Sequence, residues 1–250
     1  MLQQQTQVLQ TEKQKFAMSL ARSGGEVREA QRLRYKVFAE EMGAKVPGHV
    51  ERIDEDRFDR YCEHLLVRDT DTNEVVGTYR ILPPDQAKMA GGYYSEGEFD
   101  LSRLDNLRDS MVEVGRSCVH ADYRGGGVIT LLWAGMAQYM VQNNYNYLIG
   151  CASVSMADGG HNAANIYNKI KSDNMSPLEW RVFPNCGLPY QALVDHAEEF
   201  LPPLIKGYLR LGAYVCGDPA WDPDFNTADL LMLLPMSRLN RRYAKHFLGK

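Results

Sequence analysis

Long apolar runs are missing: no stretch of the 250 residues approaches the ~20 consecutive apolar positions of a membrane-spanning helix. The opening residues, MLQQQTQVLQTEKQKF, also lack the apolar segment of a secretory signal. Cysteine is sparse and unpaired in pattern. Cys62, Cys118, Cys151, Cys186 and Cys216 are widely spaced and never fall as Cys-x-x-Cys, which argues against a disulfide framework or a zinc ribbon. They read as buried thiols in a reducing compartment, and no metal is expected. Excess positive charge is absent too: 28 Lys and Arg stand against 32 Asp and Glu. A nucleic-acid partner would ask for a basic balance, so none is expected. These absences together describe a cytoplasmic protein, soluble or resting on the inner face of the membrane.

What is present is enough for one core, since 44% of the residues are hydrophobic. Residues 1–24 form a polar, Gln-rich extension in which Leu2, Leu9, Phe16 and Leu20 recur at roughly helical spacing. From Glu26 to Met42 an apolar stripe (Val27, Ala30, Leu33, Val37, Phe38, Met42) predicts a helix that stops at Gly43. Strands are predicted over 62–68 and 75–82, joined by the turn residues Asp69 to Asn73, and again over 111–120. An apolar helix over 128–141, a buried strand over 147–154 and a helix over 162–171 follow. A short strand is predicted near Trp180–Phe183, then a helix over 201–212 with Pro in its first turn. Residues 213–235 read as one or two strands around a Pro/Asp loop. Residues 236–250 are a basic amphipathic helix carrying Arg238, Arg241, Arg242 and Lys245. With no repeats and no linker, residues 25–235 make one α/β domain, a mixed sheet with helices on both faces.

The sharpest local feature is a strand, then Arg124-Gly125-Gly126-Gly127, then a helix. Consecutive glycines let backbone N–H groups converge where a Cβ would block approach. The helix start adds its partial positive charge, so the turn can seat an anion. A P-loop would continue with Lys and Ser or Thr, but Val128 and Ile129 follow here; a dinucleotide fingerprint is absent as well. A bare strand-to-helix turn has the same pattern.

This turn resembles the pantetheine-binding motif of the GNAT superfamily. The place that is usually Gly or Ala is Ile129, which suits a carrier-protein donor better than the adenosine end of CoA. The ordered pieces Arg34-x-x-x-Phe38, Asp56-x-x-Asp59, Arg80 and Glu113-x-x-Arg116 resemble the acyl-homoserine-lactone synthases, although the Trp those enzymes carry has no counterpart at Gly43-Ala44-Lys45. The run Glu113 to Val119 leading into Arg124 to Ile129 is more similar to the ornithine-lipid acyltransferases. So is the tail Tyr208 to Ala213 followed by Asp222, Phe225 and Asp229. The N-acyl amino acid synthases share this pattern. The resemblance implies a GNAT-like, mostly antiparallel sheet. It also implies a transferase that moves a (3-hydroxy)fatty acyl group from a phosphopantetheine thioester, on an acyl carrier protein or CoA, to an amino acid's α-amine. L-Ornithine is the expected acceptor, and no tightly bound cofactor is expected.

Aminolysis needs a neutral amine, and here magnitudes discriminate. Deprotonating an α-amine at pH 7 costs about 1.4 kcal/mol, a lysine-like amine roughly 4.6 kcal/mol. That gap favours α-acylation of a diamino acid. Glu113, on the strand before the glycine turn, is the candidate base; Arg116 rejoins it only if the strand bulges near Gly115. A structural Glu113–Arg116 ion pair is the alternative. The resemblance further implies pantetheine held by Arg124, Gly125, Gly126, Gly127 and Val128, an oxyanion held by backbone N–H groups near Cys118 and Val119, and a thiolate protonated by Tyr167. Asp56 and Asp59 would hold the acceptor's ammonium groups and Arg80 its carboxylate, with Arg34 paired to either aspartate. A solvated acidic loop is the plainer reading of Glu51–Asp59. The basic C-terminal helix is suited to an acidic carrier protein or an anionic membrane, or is simply solvated.

Overall fold

The computed structural model describes residues 15–46, 50–195 and 197–239. Apolar residues at every second position, Phe16, Met18 and Leu20, make the first element a strand, β1 (Phe16–Leu20), half-buried on alternate residues. The helical reading rested on Leu2, Leu9, Phe16 and Leu20, of which Phe16 and Leu20 fit either period; antiparallel pairing with residues 65–69 decides for a strand. Helix α1 (Gly24–Tyr35) starts at Ser23, whose hydroxyl accepts the Glu26 N–H at 3.3 Å, while the Glu26 carboxylate accepts the Arg22 N–H at 2.7 Å. Residues Lys36–Glu41 continue it as a wider turn, with the Met42 N–H reaching back to the Val37 carbonyl.

The remaining elements are β2 (Glu63–Asp69), β3 (Val75–Leu82), α2 (Pro84–Ala90), β4 (Phe99–Asp100), β5 (Met111–Val119), α3 (Gly127–Gln142), β6 (Tyr147–Ser155), α4 (His161–Asn174), β7 (Phe183–Pro184), α5 (Tyr190–Leu193), α6 (Pro203–Leu211), β8 (Tyr214–Val215), β9 (Ala220–Asp222) and β10 (Thr227–Pro235). The main sheet runs β1-β2-β3-β5-β6-β10-β8, with β9 also on β10; β4 pairs with β7 separately. Only β5 and β6 are parallel among these pairs. The architecture is therefore the mixed, mostly antiparallel sheet expected. Near Trp180 the regular strand is just Phe183–Pro184, preceded by a tight turn at Leu178–Trp180. Past β10, Met236–Arg238 makes one turn. The rest of the expected basic helix, like residues 1–14, lies outside the described residues.

Alternation sorts the side chains. Leu65, Val67, Tyr79, Ile81, Val112, Val114, Leu148, Ala152, Leu230 and Met232 face the core beneath α3, α4 and α6. Met111, Ile149, Leu231 and Leu233 face the opposite layer, built by α2 and the loop to β5. No helix among the described residues is long and apolar enough to cross a membrane. Of the cysteines, Cys118 and Cys216 are buried, Cys62 and Cys151 partly so, and Cys186 is exposed, unlike the buried thiol expected there.

One contact sets up the site. The β5–β6 pairing runs from Met111–Tyr147 to Glu113–Ile149 and then stops, although β6 continues to Ser155 against β10. Gly150 sits where the strands part, and a Cβ there would lie 2.4 Å from the Val114 carbonyl oxygen. Gly150→Ala must push the two strands apart. Overpacking of this kind costs about 1–3 kcal/mol, and Tm falls about 2–4 °C per kcal/mol in a chain this size. Thermal unfolding of the variant checks it.

Candidate active site

Where β5 leaves β6, the sheet opens into a cavity of about 540 Å³. Residues Val114 to Val119 form one wall, Cys151 and Ser153 of β6 another, and Tyr123, Arg124, Gly126 and Ile129 stand at the end beneath α3. Past Glu113, β5 is hydrogen-bonded to β3 alone, so its other edge turns unpaired backbone groups toward the cavity. Pro202, Pro203, Leu204 and Trp133 extend the lining with apolar surface suited to an alkyl chain.

Glu113 lines this cavity and is 4% exposed. Its carboxylate accepts the backbone N–H groups of Tyr94 (2.6 Å) and Ser95 (2.8 Å) and the Ser95 hydroxyl (2.5 Å). Burial lifts its carboxyl above the usual range, against these hydrogen bonds and the Arg80 charge, which favour the ionised form. One lone pair of Oε2 stays uncommitted by these bonds.

The strand does bulge. Gly115 pairs with Arg80 and Cys118 with Thr78, so Arg116 and Ser117 together oppose Tyr79. Arg116 takes φ +50, a left-handed conformation uncommon for a side chain of its size. The bulge sends Arg116 away from Glu113. Its guanidinium instead lies 3.2 Å from both Asp54 and Asp56 and stacks 4.6 Å from the Phe225 ring centroid.

Three arginines and three aspartates form one network behind this wall. Arg34, completely buried, bonds Asp54 through Nε (2.8 Å) and grips both oxygens of Asp59 (2.7 and 2.9 Å). Arg80 donates to Asp56 at 2.7 Å and Asp59 at 3.3 Å. Burial acts to raise the Asp59 carboxyl, but Arg34 and then Arg80 hold it well below the usual carboxylate range. Burial likewise acts to raise the Asp56 carboxyl, but Arg80 and then Arg116 outweigh it and lower it. Asp59 also accepts the Asp56 N–H, so its lone pairs are spent on this protein. The stretch Glu51–Asp59 is only partly a solvated loop: Glu51, Arg52, Glu55 and Arg57 are exposed, but Asp54 and Asp59 are 0% and 5% exposed. The arrangement does not leave Asp59 free for an ammonium ion. Its physical task here is to fix Arg34 and Arg80.

Of the five residues of the glycine turn, the cavity touches Arg124 and Gly126. Gly126 has φ +99 and caps α3, so the first N–H groups of that helix point out of its start. Arg124 bonds Glu41 (2.5 Å) and the Val119 carbonyl. Val128 is fully buried, and its side chain is the group a Cβ on Gly77 would strike; only its backbone is available to a ligand.

Residues 33–134 match the acetyltransferase (GNAT) domain family. The L-ornithine N(alpha)-acyltransferase of Brucella abortus (strain 2308) is 37% identical over 244 residues, spanning 91% of this chain and 87% of that protein. The chain belongs to the L-ornithine N(alpha)-acyltransferase family. Its fold is also that of two solved structures. FeeM, an N-acyl amino acid synthase from uncultured soil microbes, has TM-score 0.54 at 11% identity, covering 89% of this chain and 90% of its own. The acyl-homoserine-lactone synthase LasI has TM-score 0.52 at 12% identity, covering 94% and 95%.

Within this acyltransferase, Tyr167 is not where the family analogy puts it. It is 2% exposed on α4, donates to Asp218 at 2.6 Å and packs edge-on against Tyr190, outside the cavity lining. Burial and the Asp218 partner raise its phenol far above the usual range. We expect Tyr167→Phe to leave kcat unchanged and to destabilise the fold by about 1–2 kcal/mol through the lost hydrogen bond. Turnover and urea unfolding of one preparation check both halves.

Sequence reasoning missed Ser95, Asp54 and Glu98. Ser95 bridges Glu113 to the Cys151 thiol, 3.3 Å away. Beyond Cys151 lie Glu98 and Asp229, whose carboxylate oxygens and the Cys151 sulfur all fall within 4.8 Å of one another. Burial lifts both carboxyls above their usual values; the Asp229 and Asp222 charges add to the rise at Glu98, whereas at Asp229 the contact with Glu98 and the Ser153 and Thr227 hydroxyls work against it. Nothing in the loop sequence Gly92 to Asp100 marks Glu98 out; only the fold brings it to β10.

Proposed function

We propose that this enzyme transfers a (3-hydroxy)fatty acyl group from acyl carrier protein to the α-amine of L-ornithine, giving lyso-ornithine lipid in the cytoplasm, at the inner face of the membrane. The observation that carries this reading is the cleft between β5 and β6, with a buried carboxylate at its apex and the glycine turn at its far end. The phosphate of the phosphopantetheine arm would rest on the N–H groups opening α3, with Arg124 released from Glu41 to meet it. The arm would then run along the unpaired edge of β5, and N–H groups there would receive the thioester oxygen as charge develops on it. Glu113, through its uncommitted lone pair and a water, would take a proton as the amine attacks. The N–C bond forms, the C–S bond breaks and the pantetheine sulfur departs. A thiol's ordinary pKa is about 8.5, so the sulfur leaves as thiolate without a dedicated acid. That removes the need for Tyr167. Arg116 and Arg80 present a positive wall for the acceptor's carboxylate, and the apolar lining takes the acyl chain.

The test is product analysis. Purified protein is incubated with 3-hydroxyacyl carrier protein, or the matching acyl-CoA, and a panel of amino acids, and products are read by mass spectrometry. N-Acylornithine from the carrier-protein donor is the expected result. Acylation of another amino acid alone would replace the acceptor, and a lactone formed from added S-adenosylmethionine would replace the reaction. Vesicle flotation with and without anionic lipid tests the membrane contact.

A further inference from the structure

The acidic pocket formed by Glu98 and Asp229 has no part in the transfer chemistry described above. It lies where the cavity meets a second hollow of about 640 Å³ lined by Asp56, Glu98 and Asp222; the two share Tyr94, Arg116, Asp222 and Phe225. Asp229 faces the first cavity from β10, opposite Ser153 of β6, and is 4% exposed. Its Oδ1 accepts the Thr227 hydroxyl at 3.0 Å. Glu98 closes the pocket from the loop before β4. Both of its carboxylate oxygens are buried, each exposing under 1 Å², and neither finds a hydrogen-bond partner. The charged neighbours acting most strongly on it are Asp229 and Asp222. Arg116, which lines the same hollow, is engaged by Asp54 and Asp56.

Two buried carboxylates turned toward each other are unfavourable unless a proton or a cation lies between them. A lone buried acceptor with no donor is a group awaiting one. The pair is also linked to the candidate base through Cys151 and Ser95, along one face of the sheet. An amino acid whose α-amine approaches Glu113 therefore extends its side chain toward Glu98 and Asp229. We infer that Glu98 and Asp229 form the subsite for the side-chain ammonium of a diamino-acid acceptor. The inference rests on the reading of this chain as an amino-acid N-acyltransferase and assigns the residues that choose its acceptor. An ammonium held by carboxylates stays protonated and is no nucleophile. The subsite thus selects the diamino acid and also withholds its second amine from the thioester.

The experiment compares L-ornithine with L-norvaline, which has the same carbon chain without the terminal amine. It uses wild type, Glu98→Gln and Asp229→Asn. Binding is read first, without acyl donor, as the ligand-induced rise in Tm. Ornithine is expected to stabilise the wild type and norvaline to do so far less, and each variant should lose the difference. In turnover, KM for ornithine should rise about tenfold or more in Glu98→Gln, the size expected for one charge-assisted hydrogen bond, with the norvaline rate unchanged. Because the amide keeps the volume of the carboxyl and can donate a hydrogen bond to Asp229, the unliganded variant should keep its fold and Tm. Equal stabilisation by ornithine and norvaline overturns the proposal. So does an equal loss with both acceptors in Glu98→Gln, or a Tm rise with Zn²⁺ or Ca²⁺ that blocks ornithine. If ornithine binds through Glu98 but is never acylated, the subsite stands and the assigned reaction fails.

Discussion

Glu113→Gln is expected to lower kcat/KM by about 10²–10⁴, the range a positioned general base contributes, while far-UV circular dichroism stays that of wild type. The amide preserves volume and its oxygen can still accept on one side of the Tyr94–Ser95 loop, but its NH2 cannot accept on the other. A stability loss of about 1–3 kcal/mol therefore accompanies it, and rates are compared on folded enzyme. The pH profile separates base from scaffold. Burial raises the Glu113 carboxyl, and the Ser95 and Tyr94 bonds only partly offset that rise. A base works ionised, so wild-type kcat/KM should climb as pH rises through the elevated carboxyl value and climb again as the α-amine deprotonates near about 8. Gln has no titration, so the lower limb should vanish and the amine limb remain. A variant that retains both limbs at a uniformly reduced rate would make Glu113 an anchor for the Tyr94–Ser95 loop, and the base would have to be sought elsewhere in the cavity. The linkage to stability has its own sign. A carboxyl raised on folding favours the native state below its unfolded value and ceases to do so as pH rises through the folded one. Glu113→Gln should therefore be relatively more stable than wild type at alkaline pH than at acid pH.

Much of this site is written in local pattern. The turn at Arg124–Gly127 is legible because a φ of +99 at Gly126 and a helix start call for glycine whatever the ligand. Glu113 is legible because a charged residue inside an apolar strand needs a reason to be there. Arg34 falls on the same helix face as Ala30 and Val37, but its aspartate partner was implied by the family resemblance and not by spacing. Asp54 was hidden because a run of charges on a loop looks the same in sequence whether solvated or buried. Glu98 was out of reach altogether. Its partner Asp229 is more than a hundred positions away, and no period connects a loop to a strand. Tyr167 shows the opposite failure. The family analogy supplied a helix tyrosine, but its ring lies against Tyr190 with its hydroxyl on Asp218, outside the cleft. Borrowed positions fall at the cavity where backbone geometry dictates them and leave it where a side chain's direction does.

Asp59→Asn should be the most damaging single change to stability. Arg34 and Asp59 are each at most 5% exposed, and Asp59 accepts from Arg34, Arg80 and the Asp56 backbone at once. Removing one partner of a buried pair leaves a desolvated charge and costs about 3–5 kcal/mol, against a total of about 5–15 kcal/mol for a typical domain. A solvent-exposed pair would lose at most about 1 kcal/mol, so urea unfolding at pH 7 distinguishes the two. The pH dependence has a fixed sign. Asp59 is held below its unfolded value of about 3.9, so its contribution is complete above that value and disappears as pH falls toward the folded one. The gap between wild type and Asp59→Asn must therefore narrow on acidification below about pH 4; a constant gap would mean the network acts through packing and not charge. The penalty measures what is left unpaired, since buried ion pairs replaced whole by apolar residues are often no less stable. What the network supplies beyond stability is placement. It holds Arg80 beneath the Phe58 and Tyr94 rings and Arg116 on its bulge. Asp59→Asn should thus raise KM for the acceptor even in the folded fraction, while Glu113→Gln acts on kcat.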